Sequence, residues 1–317
     1  MILNLILALL ISFMLGILYS FFFRKVYARL QARKGPLLIV PKEVRKVLGF
    51  SRILQPFYDV LKLLYKETLV PKTANKKLFK SAPCIALGSI ILSVFFIPIS
   101  SLSFLGHYKF SLIVVSYLLL IPSLSIVIGG YSSSSPWGAV GAHREVELML
   151  IYEVVQILSI FSVAIIVNSF SISDIIEFQI NHIPLVALNP FAAIAFLFAI
   201  VGKLRIKPFD IADASVEVVT GPETEYSGKL LGILELGKIF LMFAYITLFI
   251  DLFLSGLNFL TQILFIVKSL ALVFILALIN AINPRYRLDQ AFKWYLKYQV
   301  PIGIIAIAWA YLIRIIF

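Results

Sequence analysis

Residues 2–23, ILNLILALLISFMLGILYSFFF, run without a charged side chain until Arg24 and Lys25 end the stretch. At 1.5 Å rise per residue, about 20 residues of helix cross a hydrocarbon core of roughly 30 Å. The stretch lacks a basic start and a small-residue cleavage site, so it reads as a retained helix and not as a signal peptide. Comparable stretches follow near 83–103, 110–130, 146–168, 184–203, 229–252, 258–282 and 299–317, which makes eight. Backbone groups facing lipid must be paired within their own segment, and barrel strands would be shorter and alternating, so the spans are helices. The expected fold is all-α: one polytopic transmembrane domain over residues 1–317, with about eight helices and a long cytoplasmic first loop.

Composition agrees. Of 317 residues, 61% are hydrophobic and 14% charged, where soluble domains carry about 25% charged residues. The lone cysteine, Cys84, excludes a disulfide framework and any iron–sulfur cluster held by this chain alone. His107, His143 and His182 are too scattered for a metal site, so the chain is expected to bind no metal. There is no glycine-rich phosphate loop, no Gly-x-Ser-x-Gly elbow and no His-Glu-x-x-His pair.

The net charge of +12 is mostly a topology signal. Segment 24–82 carries 15 Lys and Arg, loop 131–145 one, loop 202–229 four and loop 283–299 four, which places 24 of 28 cations after odd-numbered spans. The opposite loops hold only Lys109. The positive-inside rule puts the 24–82 face in the cytoplasm and both termini outside. Such a basic face suits anionic lipid or an acidic partner surface, and nucleic acid is not expected on so apolar a chain. Within it, Leu54, Phe57, Leu61 and Leu64 recur at helical spacing among Asp59, Lys62 and Lys66, an amphipathic helix lying at the interface or packed under a partner.

Ionisable groups inside a membrane cost about 2.5–3.5 kcal/mol each on insertion scales, so each needs a reason. Span four holds Glu145, Glu147 and Glu153; the first and last are eight apart and lie close to one helical face. Glu153 has no cation within four residues, which favours a proton relay or a water-filled path. Glu235 and Lys238 are neighbours in span six, where a self-neutralising pair competes with a relay role. Asp251 lies toward the far end of that span, and Lys268 is inside span seven. In loop 203–229, Lys203, Arg205 and Lys207 precede Asp210, Asp213, Glu217, Glu223 and Glu225, with Val216, Val218 and Val219 pointing to partial burial. Crowded, partly buried carboxylates repel, which raises some pKa values and suits proton exchange.

Four blocks of residues carry a family resemblance. They are Arg24-Lys25 with Gln31-x-Arg33-Lys34-Gly35-Pro36 and Leu54-Gln55-Pro56-x-x-Asp59-x-x-Lys62; Gly141-Ala142-x-Arg144 with Tyr152-Glu153; Pro208-Phe209-Asp210-Ile211-x-Asp213 through Glu225-Tyr226-Ser227; and Pro284-Arg285-Tyr286-Arg287-x-Asp289-Gln290. In this order they resemble the H-subunit family of complex I, whose members join a peripheral redox arm to an ion-pumping membrane arm. Departures narrow the resemblance. Phe23 stands where quinone-reducing members place an acid, Ser215 replaces a third loop acid, and His143-Arg144-Glu145 follows a serine run. In these respects the chain is more similar to the membrane subunit of membrane-bound [NiFe]-hydrogenases and sulfane reductases.

The resemblance implies a subunit that binds no cofactor itself, while partners hold iron–sulfur clusters and, in hydrogenases, a NiFe site. Implied partners are the hydrogenase-like large and small subunits, antiporter-like membrane subunits, and ferredoxin as electron donor. The implied function is to anchor the redox module and couple its electron transfer to proton or sodium translocation; a quinone-binding H subunit is the alternative. Expected relay residues are Glu145, Glu147, Glu153, Asp210, Asp213, Glu217, Glu225, Glu235 and Lys238, with Arg144 and Arg205 biasing their protonation. Expected docking residues are Arg24, Lys25, Arg33, Lys34, Asp59, Lys62, Arg285 and Arg287. Glu223 is not required by the family pattern. A stand-alone transporter would also carry buried carboxylates, but broken helices and paired half-repeats are not evident in the sequence.

Overall fold

The computed structural model describes residues 2–36, 53–98, 105–214, 217, 219–254 and 261–316. Ser215, Val216 and Val218, and residues 37–52 of the basic segment, lie outside the described residues. In chain order the helices are α1 (Ile2–Leu30), α2 (Gln55–Tyr65), α3 (Lys76–Phe96), α4 (Ser111–Ser132), α5 (Pro136–Val167), α6 (Ile172–Asn181), α7 (Leu185–Leu188), α8 (Pro190–Lys203), α9 (Gly228–Phe253), α10 (Thr261–Ile282), α11 (Leu288–Trp294) and α12 (Val300–Ile316). A single 3₁₀ turn, Gly221–Glu223, lies in the loop before α9, and a π-helical turn, Tyr295–Gln299, joins α11 to α12.

Among the described residues, seven of the helical stretches are long and apolar enough to cross a membrane. The eighth expected span, 184–203, is a broken one. Asn189 ends α7 and starts α8, whose 14 residues stay short of the other spans. The interruption has a local cause: Pro190 cannot donate to the preceding turn, and the Asn189 side chain caps the new helix by accepting from Ala192 N at 3.2 Å. Pro136 likewise opens α5 at a position where a missing N–H costs nothing.

Spans alternate in direction. Asn75 N donates to Ser132 O and Tyr286 N donates to Pro208 O at one end, while Ser173 N donates to Gly106 O at the other. The four basic segments therefore share one end of the bundle, as their charge predicts. The inner helices are α5 and α9; Phe243, Ala244, Tyr245, Ile246 and Leu248 of α9 are fully buried. Exposed apolar residues such as Phe274 on α10 and Leu312 on α12 face outward, as lipid-facing or partner-facing surfaces must.

Two close approaches set where helices cross. A Cβ on Gly16 of α1 would lie 2.8 Å from Ile239 O of α9, and one on Gly141 of α5 would lie 2.6 Å from Gly221 Cα. Small residues at these points let backbones touch without a hydrophobic driving force. The amphipathic helix α2 uses its apolar face inside the chain: Val60 packs with Ile17 and Ile239, and Phe57 meets Phe13 edge-on at 5.8 Å. Its cover is therefore α1 and α9 of the same chain.

Candidate functional site

The loop between α8 and α9 folds back onto the bundle because Gly141 admits Gly221 and because Tyr226 stacks on Phe79 at 4.1 Å between ring centroids. This brings the loop carboxylates against the inward face of α5. Arg205 sits at the junction. Its φ of 49° is left-handed, a conformation costing a non-glycine residue roughly 1–2 kcal/mol, so the surrounding contacts must hold it there.

Those contacts are ionic. Arg205 Nε lies 3.2 Å from Glu145 Oε2, and its Nη1 is 2.9 Å from Asp213 Oδ1 and 3.4 Å from Glu223 Oε1. Glu223 Oε2 in turn accepts from Lys238 Nζ at 2.7 Å, and Lys238 reaches Glu235 at 2.9 Å. On the other side, the Tyr152 hydroxyl donates to Glu145 Oε1 at 3.1 Å and lies 3.3 Å from the Ser123 hydroxyl. Lys203 sits over the Tyr152 ring at 5.1 Å and pairs with Glu153. An unbroken succession of charged and polar groups therefore runs from Glu153 on α5 to Glu235 on α9.

Burial sharpens the electrostatics. Glu145 is 2% exposed, Lys203 4% and Glu223 6%. Burial by itself would pull the Arg205 guanidinium down, but Asp213, Glu145 and Glu223 more than offset this and hold it charged, above its ordinary range. Burial pushes the Glu223 carboxyl up; Lys238 opposes the rise and Asp213 adds to it.

A cavity of about 220 Å³ opens onto this network. Phe23, Ile126 and Met242 line its apolar part, and Arg205, Glu235 and Lys238 its charged part. Arg205 Nη2 has no hydrogen-bond partner among the described residues. Arg24 and Asp59, 3.0 Å apart, also contribute to the cavity wall. Among the described residues, no group of three or more His, Cys, Asp or Glu could hold a metal ion.

Of the nine expected relay residues, the structure gathers Glu145, Glu153, Asp213, Glu235 and Lys238 into the network. It leaves four aside. Glu147 is two positions from Glu145, about 200° around the helix, and pairs with His143 at 3.1 Å on the outer face. Glu217 pairs with Arg144 at 2.7 Å and is more than half exposed. Asp210 is clamped by Arg285 at 2.5 and 2.7 Å, and Glu225 makes no ion pair among the described residues. Arg144 thus faces Glu217 and the Ile211 carbonyl, one helical position away from the face that carries Glu145.

Two charged members of the network, Glu223 and Lys203, stand outside both the expected relay set and the expected charge-tuning pair. Glu223 joins Arg205 to Lys238, and Lys203 supplies the cation that Glu153 lacks within four residues of its own helix. Lys203 lies 50 residues along the chain, so no local spacing announces it. Among the docking residues, Arg24, Lys25, Arg33, Lys34 and Lys62 are exposed. Arg285 is turned inward onto Asp210, whose hydrogen bonds raise its pKa. The Arg287 N–H donates to Gln290 Oε1 at the start of α11.

Comparison with known proteins places these features. The family model described as NADH dehydrogenase matches residues 2–311. The chain is 32% identical over 306 residues to the H subunit of NADH-quinone oxidoreductase from Geobacillus sp. (strain WCH70), covering 93% of this chain and 88% of that one. It is 30% identical over 297 residues to the same subunit from Pelagibacter ubique (strain HTCC1062), covering 89% and 85%. A chain of the membrane-bound sulfane sulfur reductase, an archaeal respiratory membrane complex, superposes with a TM-score of 0.85 at 30% identity, covering 98% of this chain and 99% of that one. With the helical bundle, the loop carboxylates and the matched length in agreement, the chain belongs to the NADH dehydrogenase family, as a multi-pass membrane protein of the complex I H-subunit type.

Proposed function

We propose that this protein is the membrane subunit of a ferredoxin-linked respiratory complex of the sulfane reductase or hydrogenase type, sited in the cell membrane. It anchors a cytoplasmic redox module and couples electron transfer there to movement of protons or sodium ions. The observation that carries this reading is the network itself: a line of acids and bases from buried Glu153 through Arg205 to the partly exposed Lys238 and Glu235, reached from a cavity. Buried carboxylates bridged by shared cations exchange protons when one charge in the line changes, because each pKa depends on its neighbours.

In this reading the 24–82 face, with exposed Arg24, Lys25, Arg33, Lys34 and Lys62, lies in the cytoplasm and meets the large and small redox subunits; both termini lie outside. Glu235 and Lys238 hand charge on toward antiporter-like membrane subunits. Iron–sulfur clusters, and a NiFe site if the complex is a hydrogenase, sit on the partners. The resemblance to the sulfane sulfur reductase chain over nearly its full length supports the sulfane-reductase-type reading.

The cavity supports a second reading, in which a quinone occupies it, since its apolar walls end at charged groups able to orient a polar head. Affinity purification through this chain tests both. Co-purifying cluster-bearing subunits, reduced by ferredoxin and oxidised by sulfane sulfur or protons, are expected. Turnover that requires added quinone favours the second reading, and a chain that purifies alone as an active transporter contradicts both.

A further inference from the structure

Four buried carboxamides sit in the bundle among the described residues, and the fold treats them differently. Asn189 is satisfied at both ends: its Nδ2 donates to Ala306 O at 2.9 Å and its Oδ1 accepts from Ala192 N. Gln179 donates to Asp251 O at 2.8 Å and accepts from Leu185 N at 3.4 Å. Gln156 of α5 is 0% exposed, yet neither its Nε2 nor its Oε1 has a hydrogen-bond partner among the described residues. Buried amide groups left unpaired are costly, and in folded proteins they are met by protein or by ordered water.

The position is informative. Gln156 stands three residues beyond Glu153 on the same side of α5, so it is the next group inward from the Glu153–Lys203 pair. Tyr152, Glu153, Gln156, Ser159 and Ser162 are all buried, and Ser159 faces α8. The Ser159 hydroxyl is already committed to Ala192 O at 2.8 Å and Ser162 to Ser159 O at 2.7 Å, so neither partners the amide. Packed on α5 is the π-helical turn Tyr295–Gln299, where Gln299 is 2% exposed and its Oε1 also lacks a partner among the described residues. A π turn widens the helix locally and often marks functional sites.

We infer that ordered water binds at the Gln156 carboxamide and carries the Glu153–Lys203 end of the network deeper into the membrane. The amide donates to and accepts from this water, which leaves Glu153 a hydrated neighbour with which to exchange a proton. The transport part of this inference rests on the function proposed above, but the water itself does not.

The test is a cryo-electron-microscopy map of the full chain in its membrane assembly, resolved well enough to show buried waters, for the wild type and for Gln156→Leu. Expected is ordered density within hydrogen-bonding distance of both ends of the amide in the wild type. In Gln156→Leu, whose side chain is similar in size but apolar, that density and coupled ion translocation are both lost while electron transfer persists. A wild-type map that resolves waters elsewhere in the bundle but none at Gln156 would overturn the inference. So would a Gln156→Leu protein that is more heat-stable and translocates normally, the behaviour of a dry amide. Density present and lost as expected, with no translocation in the wild type either, would uphold the water site and count against the proposed function alone.

Discussion

Arg205 Nε of the α8–α9 loop lies 3.2 Å from Glu145 Oε2 of α5, and both side chains are nearly sealed from solvent. The same guanidinium also serves Asp213 and Glu223, so one cation holds three carboxylates, one on α5 and two in the loop. Removing it would leave the buried Glu145 and Glu223, and the partly exposed Asp213, without their shared charge. Breaking a buried ion pair by deleting one partner typically costs about 3–5 kcal/mol. Arg205→Met is therefore expected to lower the melting temperature of the purified assembly sharply. Arg205→Lys should recover only part of the loss, because a compact ammonium cannot span the positions of a planar fork. Equal stability of wild type and Arg205→Met would show that the network does not hold the loop.

Glu223 predicts a pH dependence whose sign is fixed by burial. Its carboxyl is pushed above the ordinary glutamate value in the folded protein, so the native state holds the proton more tightly than the unfolded chain does. Stability from this group is present in full below the unfolded pKa of about 4.3 and declines as pH rises toward the raised native value. Glu223→Gln removes this slope. Thermal denaturation across that pH window should show a flatter profile for the variant; identical slopes would mean Glu223 titrates normally.

The Arg285–Asp210 clamp ties the segment before α11 to the start of the carboxylate loop. Hydrogen bonds to charged groups contribute about 1.5–3 kcal/mol, so Arg285→Ala should loosen residues 206–214. Hydrogen–deuterium exchange reads this directly, as faster exchange in that peptide with α9 unchanged. Unaltered protection would mean that Pro208 O, which accepts from Tyr286 N, and the Phe209–Tyr295 contact at 4.5 Å suffice to fix the loop.

Glu147 and Glu225 supply the control. Sequence places both in the expected relay, but the structure puts Glu147 on the outer face with His143 and gives Glu225 no ion pair among the described residues. Glu147→Gln and Glu225→Gln are expected to shift stability by no more than about 0.5 kcal/mol, and to leave translocation near wild type. Loss of translocation in either would extend the working site beyond the buried network.

The membrane architecture is legible because a run such as residues 2–23 admits few other folds, and because sorted cations already divide the loops between two ends. The break at Asn189 is hidden, since apolar content on either side of Pro190 reads as one span. Within the site, the shared face of Glu145 and Glu153 follows from helical spacing, whereas Glu147 is close to them in sequence alone. The Lys203–Glu153 pair and the bridging role of Glu223 come from tertiary contacts between separate elements. No spacing rule encodes such contacts; they exist only once Gly141 lets the loop settle on α5.

The central claim is that charge moves along the Glu153–Glu235 line when the redox module turns over. Glu153→Gln in the assembled complex tests it most directly, with electron transfer from reduced ferredoxin and ion uptake by proteoliposomes measured on the same preparation. The account predicts normal assembly and continued electron transfer, with coupled ion translocation lost. Translocation at the wild-type ratio of ions to electrons in a normally assembled Glu153→Gln complex would contradict it.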